Sequence, residues 1–231
     1  MPTLLDRVRA ALAPDFIVER ELGSGGMGSV FLARDQRLAR DVAVKVLRPE
    51  FATALAVERF AREPRVLARL NHPNIVPVHR AGESDGLHWF VMELSTGETL
   101  SSRLERGAIE PQQAAAIARD LLAGLGGAHA GGVIHRDVKP SNVFLEGRGA
   151  RLGDFGIAHD ELVESLTRTG SHIGTAPWMA PEQRAGEPAT TRTDLWAAGA
   201  VLYEMFTGRR WTATPGDWRG VPPWVVPTLR R

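Results

Sequence analysis

Between positions 16 and 47 the chain alternates apolar and polar residues in three short runs, "FIVERELG", "GSVFLARD" and "DVAVKVL". A glycine cluster, "GSGGMGSV" at 23–30, separates the first two runs. Its spacing, G-x-G-x-x-G, is compatible with two different folds. In a dinucleotide-binding unit such glycines open a helix, whereas here the period-two alternation resumes at once. The glycines therefore turn a hairpin, the runs form an antiparallel meander, and a nicotinamide-binding fold is disfavoured.

Downstream the period changes. Residues 54–70 have helical spacing, with Leu55, Phe60, Leu67 and Leu70 on one side, before "NHPN" stops them. "IVPVHRAGE" and "LHWFVMEL" read as two further strands joined by "SDG", and "STGETL" opens a new region with a helix cap, which puts a boundary at 94–97. Residues 111–130 form a helix opened by proline and closed by glycines, although Gly124, Gly126 and Gly127 each weaken it by about 1 kcal/mol relative to alanine. Two short strands, "NVFLE" and "ARLGD", precede an irregular stretch over 155–181 and a strongly apolar helix over 195–206. No internal repeat occurs, and the class is α+β.

Composition excludes more than it selects. Without cysteine there is neither a disulfide framework nor a thiolate metal site. The first sixteen residues lack the apolar core of a signal peptide, and no uncharged apolar run approaches the ~18 residues of a membrane span. These features imply a cytoplasmic chain. A formal net charge of +1 with no basic run gives no case for nucleic acid. Yet 26 of the 28 cations are arginine, and the two lysines are Lys45 and Lys139. A chain that uses arginine for generic charge keeps lysine where a compact ammonium is needed.

Both lysines sit in patterned surroundings. Lys45 ends "VAVK" in mid-strand, on the face opposite its valine neighbours. The hairpin that carries the glycines can close its backbone N–H groups over phosphates, or serve only as a flexible turn. Lys139 lies in "HRDVKPSN" with Asp137 and Asn142. "DFG" at 154–156 and "APE" at 180–182 follow in order. With these five motifs the sequence resembles a Hanks-type bacterial serine/threonine protein kinase over 15–208.

The resemblance implies a bilobal protein-kinase-like fold. A small antiparallel-sheet N-lobe with one helix would span 14–94, and a mainly helical C-lobe 95–231. It implies transfer of the γ-phosphoryl group of ATP to Ser/Thr hydroxyls of protein substrates, with Mg²⁺ or Mn²⁺. Asp137 would accept or orient the hydroxyl proton, Lys139 neutralise the γ-phosphate, and Asn142 and Asp154 hold the metal. Lys45 would contact the α- and β-phosphates and pair with Glu63. Gly23, Ser24, Gly25, Gly26 and Gly28 would cover the phosphates. Adenine would lie among Val30, Ala43, Met92 and Phe144, with the backbone from Glu93 to Ser95 offering hydrogen bonds. Leu67, Val78, His135 and Phe155 match the family's stacked apolar residues, and Asp194 their anchor. Arg136 would hold a phosphorylated loop residue, Thr167 or Thr169 ahead of Ser165 or Ser171, while Thr175 would contact the catalytic loop near the substrate. Dimerisation is left open, as is a membrane anchor in a longer parent chain.

Two departures carry expectations of their own. Pro64 follows Glu63 inside the helix, at a cost of ~3 kcal/mol or more, and disfavours the helical region for Glu63 itself. Either the helix kinks there or it starts near Pro64, and the Lys45 to Glu63 pair is the least secure part of the site. Only 23 residues follow Gly208, where similar chains add several helices. The C-lobe is thus expected to be truncated, Glu182 to have no convincing partner in place of the arginine that those helices usually supply, and Trp211, Trp218 and Trp224 to pack over its base or remain partly bare. A catalytically weak, kinase-shaped nucleotide-binding or scaffold module is the competing reading.

Overall fold

The computed structural model describes residues 2–25, 28–147, 149–156, 177–211, 219–223 and 225–226. It divides into two compact units, one of Met1–Asn71 with Val76–Thr96 and the other of His72–Ile75 with Gly97–Arg231.

The first unit is built on a five-stranded sheet in the order β1-β2-β3-β5-β4: β1 (Phe16–Gly25), β2 (Gly28–Asp35), β3 (Arg40–Leu47), β4 (Val78–Ser84) and β5 (Leu87–Glu93). Every pairing is antiparallel, and the glycine hairpin closes with Gly25 opposite Gly28. Period-two alternation sorts the side chains. Phe31, Ala33, Val42, Val44, Val46, Trp89 and Val91 form one buried face, while Val30, Lys45 and Phe90 line up across β2, β3 and β5 on the other. Residues 75–77 do not extend β4 as the sequence suggests. Ile75 pairs instead with Leu152 of the second unit's sheet, to which it belongs.

Helix α1 (Leu4–Leu12) was not anticipated. Val8 and Leu12 pack into the valine face of the sheet, and Arg9 donates to the Val18 and Glu19 carbonyls at 2.9 and 2.6 Å. Those carbonyls flank an irregularity of the β1 ladder between Val18 and Arg20, so the guanidinium occupies acceptors beside a disrupted pairing. A Thr3/Asp6 capping box starts the helix.

Helix α2 (Ala54–Leu67) packs against β4 and β5 and runs through Pro64, which corrects the alternative of a helix that starts near the proline. Ala56, Phe60, Glu63, Pro64 and Leu67 form a single buried stripe. Burying Phe60 and Leu67 contributes about 1.5–3 kcal/mol each, enough to offset the ~3 kcal/mol cost of the proline. The helix is also shorter than 54–70; Ala68 and Leu70 close it with turn bonds to Pro64 and Leu67.

In the second unit the long α4 (Pro111–Ala130) is N-capped by the Glu110 carboxylate and buries Ile117, Leu121 and Leu125. Gly124, which costs helix stability locally, is required by packing, because a Cβ there would come within 2.8 Å of the Asn74 carbonyl oxygen. The short α3 (Leu100–Leu104), capped by Thr99, precedes it. A three-stranded sheet joins β6 (Glu98–Thr99), β7 (Val143–Glu146) and β8 (Gly149–Leu152). Asn74 and Asp120 hold β8 by hydrogen bonds to the Ala150 carbonyl and N–H, at 2.8 and 3.1 Å. Helices α5 (Pro181–Arg184) and α6 (Thr191–Thr207) complete the described elements, and α6 packs on α4. Trp211 packs edge-on against Tyr203 and Trp196 of α6; Trp218 and Trp224 lie outside the described residues. Among the described residues no helix is long and apolar enough to cross a membrane.

Candidate active site

In the first unit the site-forming face is a ladder of paired residues. Gly23 stands opposite Val30, Val30 opposite Lys45, and Ala43 opposite Met92. Ser24, Gly25 and Gly28 lie at the hairpin end, Glu93 ends β5, and Ser95 follows it. Gly26 lies outside the described residues. Lys45 Nζ sits 3.1 Å from Glu63 Oε1 and 5.4 Å from the centroid of the Phe90 ring. Despite Pro64, then, the ammonium and the carboxylate meet. Glu63 is 2% exposed, so its carboxylate meets the Lys45 ammonium largely out of solvent.

The second unit gathers the remaining polar groups around the turn at Pro140–Asn142. The Asn142 amide nitrogen donates to the Asp137 carbonyl at 2.8 Å, to Asp137 Oδ2 at 3.1 Å and to the Asp154 carbonyl at 3.3 Å. This network ties "HRDVKPSN" to "DFG". Lys139 Nζ lies 2.7 Å from Asp137 Oδ2, so the buried carboxylate has its own counter-charge. The chain also passes close here. Gly156 donates to the His135 carbonyl at 2.8 Å, and a Cβ on it would come within 2.8 Å of Asp137 Cβ. Phe144, on β7, belongs to this unit.

Asp194, in the first turn of α6, accepts from the His135 N–H and the Arg136 N–H, both at 2.8 Å, and lies 2.7 Å from His129 Nε2. Two backbone donors and an imidazole satisfy a carboxylate that is 1% exposed. His135 stacks on Phe155 with ring centroids 4.3 Å apart and reaches the Gly153 carbonyl at 3.1 Å. Burial pushes the His135 imidazole below its ordinary value, against the pull of Asp194 and Asp137, so the ring is held neutral. Arg136 and Asp154 both have positive φ, +71° and +51°. Such backbone costs a non-glycine residue about 1–3 kcal/mol and tends to occur at functional sites.

Glu182 is hydrogen-bonded by another group than the arginine the family supplies: the Thr193 hydroxyl donates to its Oε1 at 2.7 Å. Trp178 donates through Nε1 to Glu204 at 2.9 Å, with the Arg210 guanidinium 5.5 Å from its ring. Gln183 was overlooked. Its amide nitrogen donates to the Arg136 carbonyl at 2.9 Å and its amide oxygen accepts from the Ala180 N–H at 3.2 Å. A glutamine three residues after the N-cap position, Ala180, is the available sequence signal. Thr167, Thr169, Thr175, Ser165 and Ser171 lie outside the described residues.

Residues 16–217 match the family described as protein kinase domain. The chain is 42% identical over 207 residues to a probable serine/threonine-protein kinase of Corynebacterium efficiens, covering 86% of this chain and 31% of that protein. It is 45% identical over 195 residues to the serine/threonine-protein kinase PknB of Mycobacterium leprae, covering 81% and 31%. With PrkC of Bacillus subtilis it shares 38% over 193 residues, covering 82% and 30%. The chain thus spans about a third of the length of these curated relatives. The ordered motifs, the sheet with its buried Lys45–Glu63 pair, the Asp137–Asn142–Asp154 network and this match over most of the length have one common reading: the chain belongs to the protein kinase domain family.

Proposed function

We propose that this chain transfers the γ-phosphoryl group of ATP to serine or threonine hydroxyls of proteins. The observation that carries the reading is the Asn142 amide, whose N–H groups reach Asp137 and Asp154 while Lys139 neutralises Asp137. Phosphoryl transfer needs little covalent help from protein; it needs positioning and charge neutralisation.

In this reading the Asp137 carboxylate orients the substrate hydroxyl and accepts its proton as the oxygen forms its bond to the γ-phosphorus. The bond from phosphorus to the β–γ bridging oxygen breaks, and ADP leaves. Lys139 supplies a point charge to the γ-phosphate, and Lys45, held by Glu63, supplies one to the α- and β-phosphates. Asn142 commits its N–H groups to Asp137 and Asp154, and its oxygen, 3.5 Å from the Ser141 hydroxyl, has a second lone pair with which to coordinate. With the Asp154 carboxylate it forms an all-oxygen donor set, which fits a hard divalent cation, Mg²⁺ or Mn²⁺. Such an ion, when held there, would supply positive charge that offsets the charge developing on the phosphoryl group. Use of ATP supports a cytoplasmic setting for this domain. Arg136 suits a phosphate on Thr167 or Thr169, so autophosphorylation there is part of the proposal.

Phosphate incorporation from ATP and Mg²⁺ into a protein acceptor tests it. Asp137→Asn is expected to lower the rate by about 10²–10⁴-fold. Equal incorporation by both proteins would favour a nucleotide-binding or scaffold role instead. Mass spectrometry of the ATP-treated chain reports the loop sites in the same experiment.

A further inference from the structure

We infer that Gln183 is a positioning residue for the proton-accepting Asp137, acting through the peptide bond that joins Arg136 to Asp137. The inference rests on the phosphotransferase reading above. Arg136 adopts φ +71°, which a residue with a side chain does not hold without external support. Both peptide groups flanking it are held. The preceding one donates its N–H to Asp194 at 2.8 Å. The following one accepts from Gln183 Nε2 at its oxygen, 2.9 Å away, and donates its N–H, which is that of Asp137, to His135 Nδ1 at 3.2 Å.

Rotation of that second peptide plane changes ψ of Arg136 and φ of Asp137, and so changes the direction in which the Asp137 side chain leaves the backbone. Asp194 controls the plane before Arg136, and His135 holds one end of the plane after it. Gln183 holds the other end. Its own orientation is set as well, because Oε1 is occupied by the Ala180 N–H at the start of α5. An amide flipped by half a turn would set two acceptors and two donors against each other. The side chain therefore links α5, and the buried Ala180 before it, to the backbone of the catalytic loop.

Two variants separate the tether from the cap. Gln183→Glu keeps an acceptor for the Ala180 N–H but replaces the donor with an oxygen facing the Arg136 carbonyl. Gln183→Lys restores a donor and loses the acceptor. Steady-state phosphorylation should show kcat of Gln183→Glu reduced about 10- to 100-fold, as expected for a reacting group displaced by a fraction of an ångström to an ångström, with KM for ATP little changed. Gln183→Lys should recover part of that loss. Hydrogen exchange at the Asp137 amide should quicken in Gln183→Glu while the amides of α6 are unaffected. A wild-type kcat in Gln183→Glu, a loss that follows its folded fraction, or unchanged exchange at Asp137 would each overturn the inference. Were wild type no more active than Asp137→Asn, the phosphotransferase reading would fall, and the Asp137 exchange rate would still decide whether Gln183 holds the plane.

Discussion

Two buried titratable side chains respond to pH in opposite directions. Glu204 has its pKa raised above the ordinary 4.5 by burial, against the Trp178 hydrogen bond and the Arg210 charge. Its folded form therefore binds the proton more tightly, and the associated stability, full below pH 4.5, is lost as pH rises through the folded value. Glu204→Gln keeps an acceptor for Trp178 and removes the buried charge. Its melting temperature should exceed wild type at neutral pH, and the difference should shrink on acidification; a constant difference would contradict the account. His135 has the reverse sign. Its lowered pKa makes stability full above pH 6.5 and lost as pH falls through the folded value. An NMR titration should find its ring still neutral at pH 6.5, and protonation at or above that pH would show that burial does not dominate. Lys45 and Glu63 show how far single residues were legible. The resemblance to the kinase family marked them as partners, but local rules about Pro64 argued against the pair, and the sheet-facing burial of α2 brought it to 3.1 Å.

At the scale of elements, α1 and α2 sit on opposite faces of the first unit's sheet, and each makes a distinct prediction. Leu12 is buried in the valine face, so Leu12→Ala should destabilise the protein by about 2–5 kcal/mol, read as a lower denaturation midpoint in urea. A change within ~0.5 kcal/mol would mean that α1 is not docked. Pro64→Ala restores an N–H inside α2, where proline is ~3 kcal/mol less favourable than alanine, and should raise the midpoint by part of that amount. A lowered midpoint would show that packing of the ring outweighs the missing hydrogen bond. The strands were readable because period-two alternation is a local property, and the hairpin because glycines interrupt it. Helix α4 was readable for the same reason, from proline and glycine at its ends. Helix α1 escaped notice because nine residues with two buried positions carry little periodic signal alone. Its apolar face is recognisable only once β2, β3 and β5 present theirs.

For the whole molecule, the phosphotransferase reading predicts that a non-hydrolysable ATP analogue with Mg²⁺ stabilises the folded chain. At a hundredfold excess over Kd the gain is about 2.7 kcal/mol, roughly 5–11 °C for a chain of this size. Lys45→Met should reduce that shift, and an equal shift in both proteins would remove Lys45 from phosphate binding. The sequence by itself determined the α+β class, the order of the two kinds of structure along the chain and the set of polar residues whose spacing matches the family. Each of these depends on neighbours within a few turns or strands, where backbone geometry translates directly into pattern. Only the tertiary structure decided that a helix runs through Pro64, that Thr193 satisfies Glu182, that Arg9 fastens α1 to β1 and that Gln183 reaches the Arg136 carbonyl. Those outcomes join elements the chain brings together only on folding, where burial and completed hydrogen bonds outweigh local preferences of a few kcal/mol.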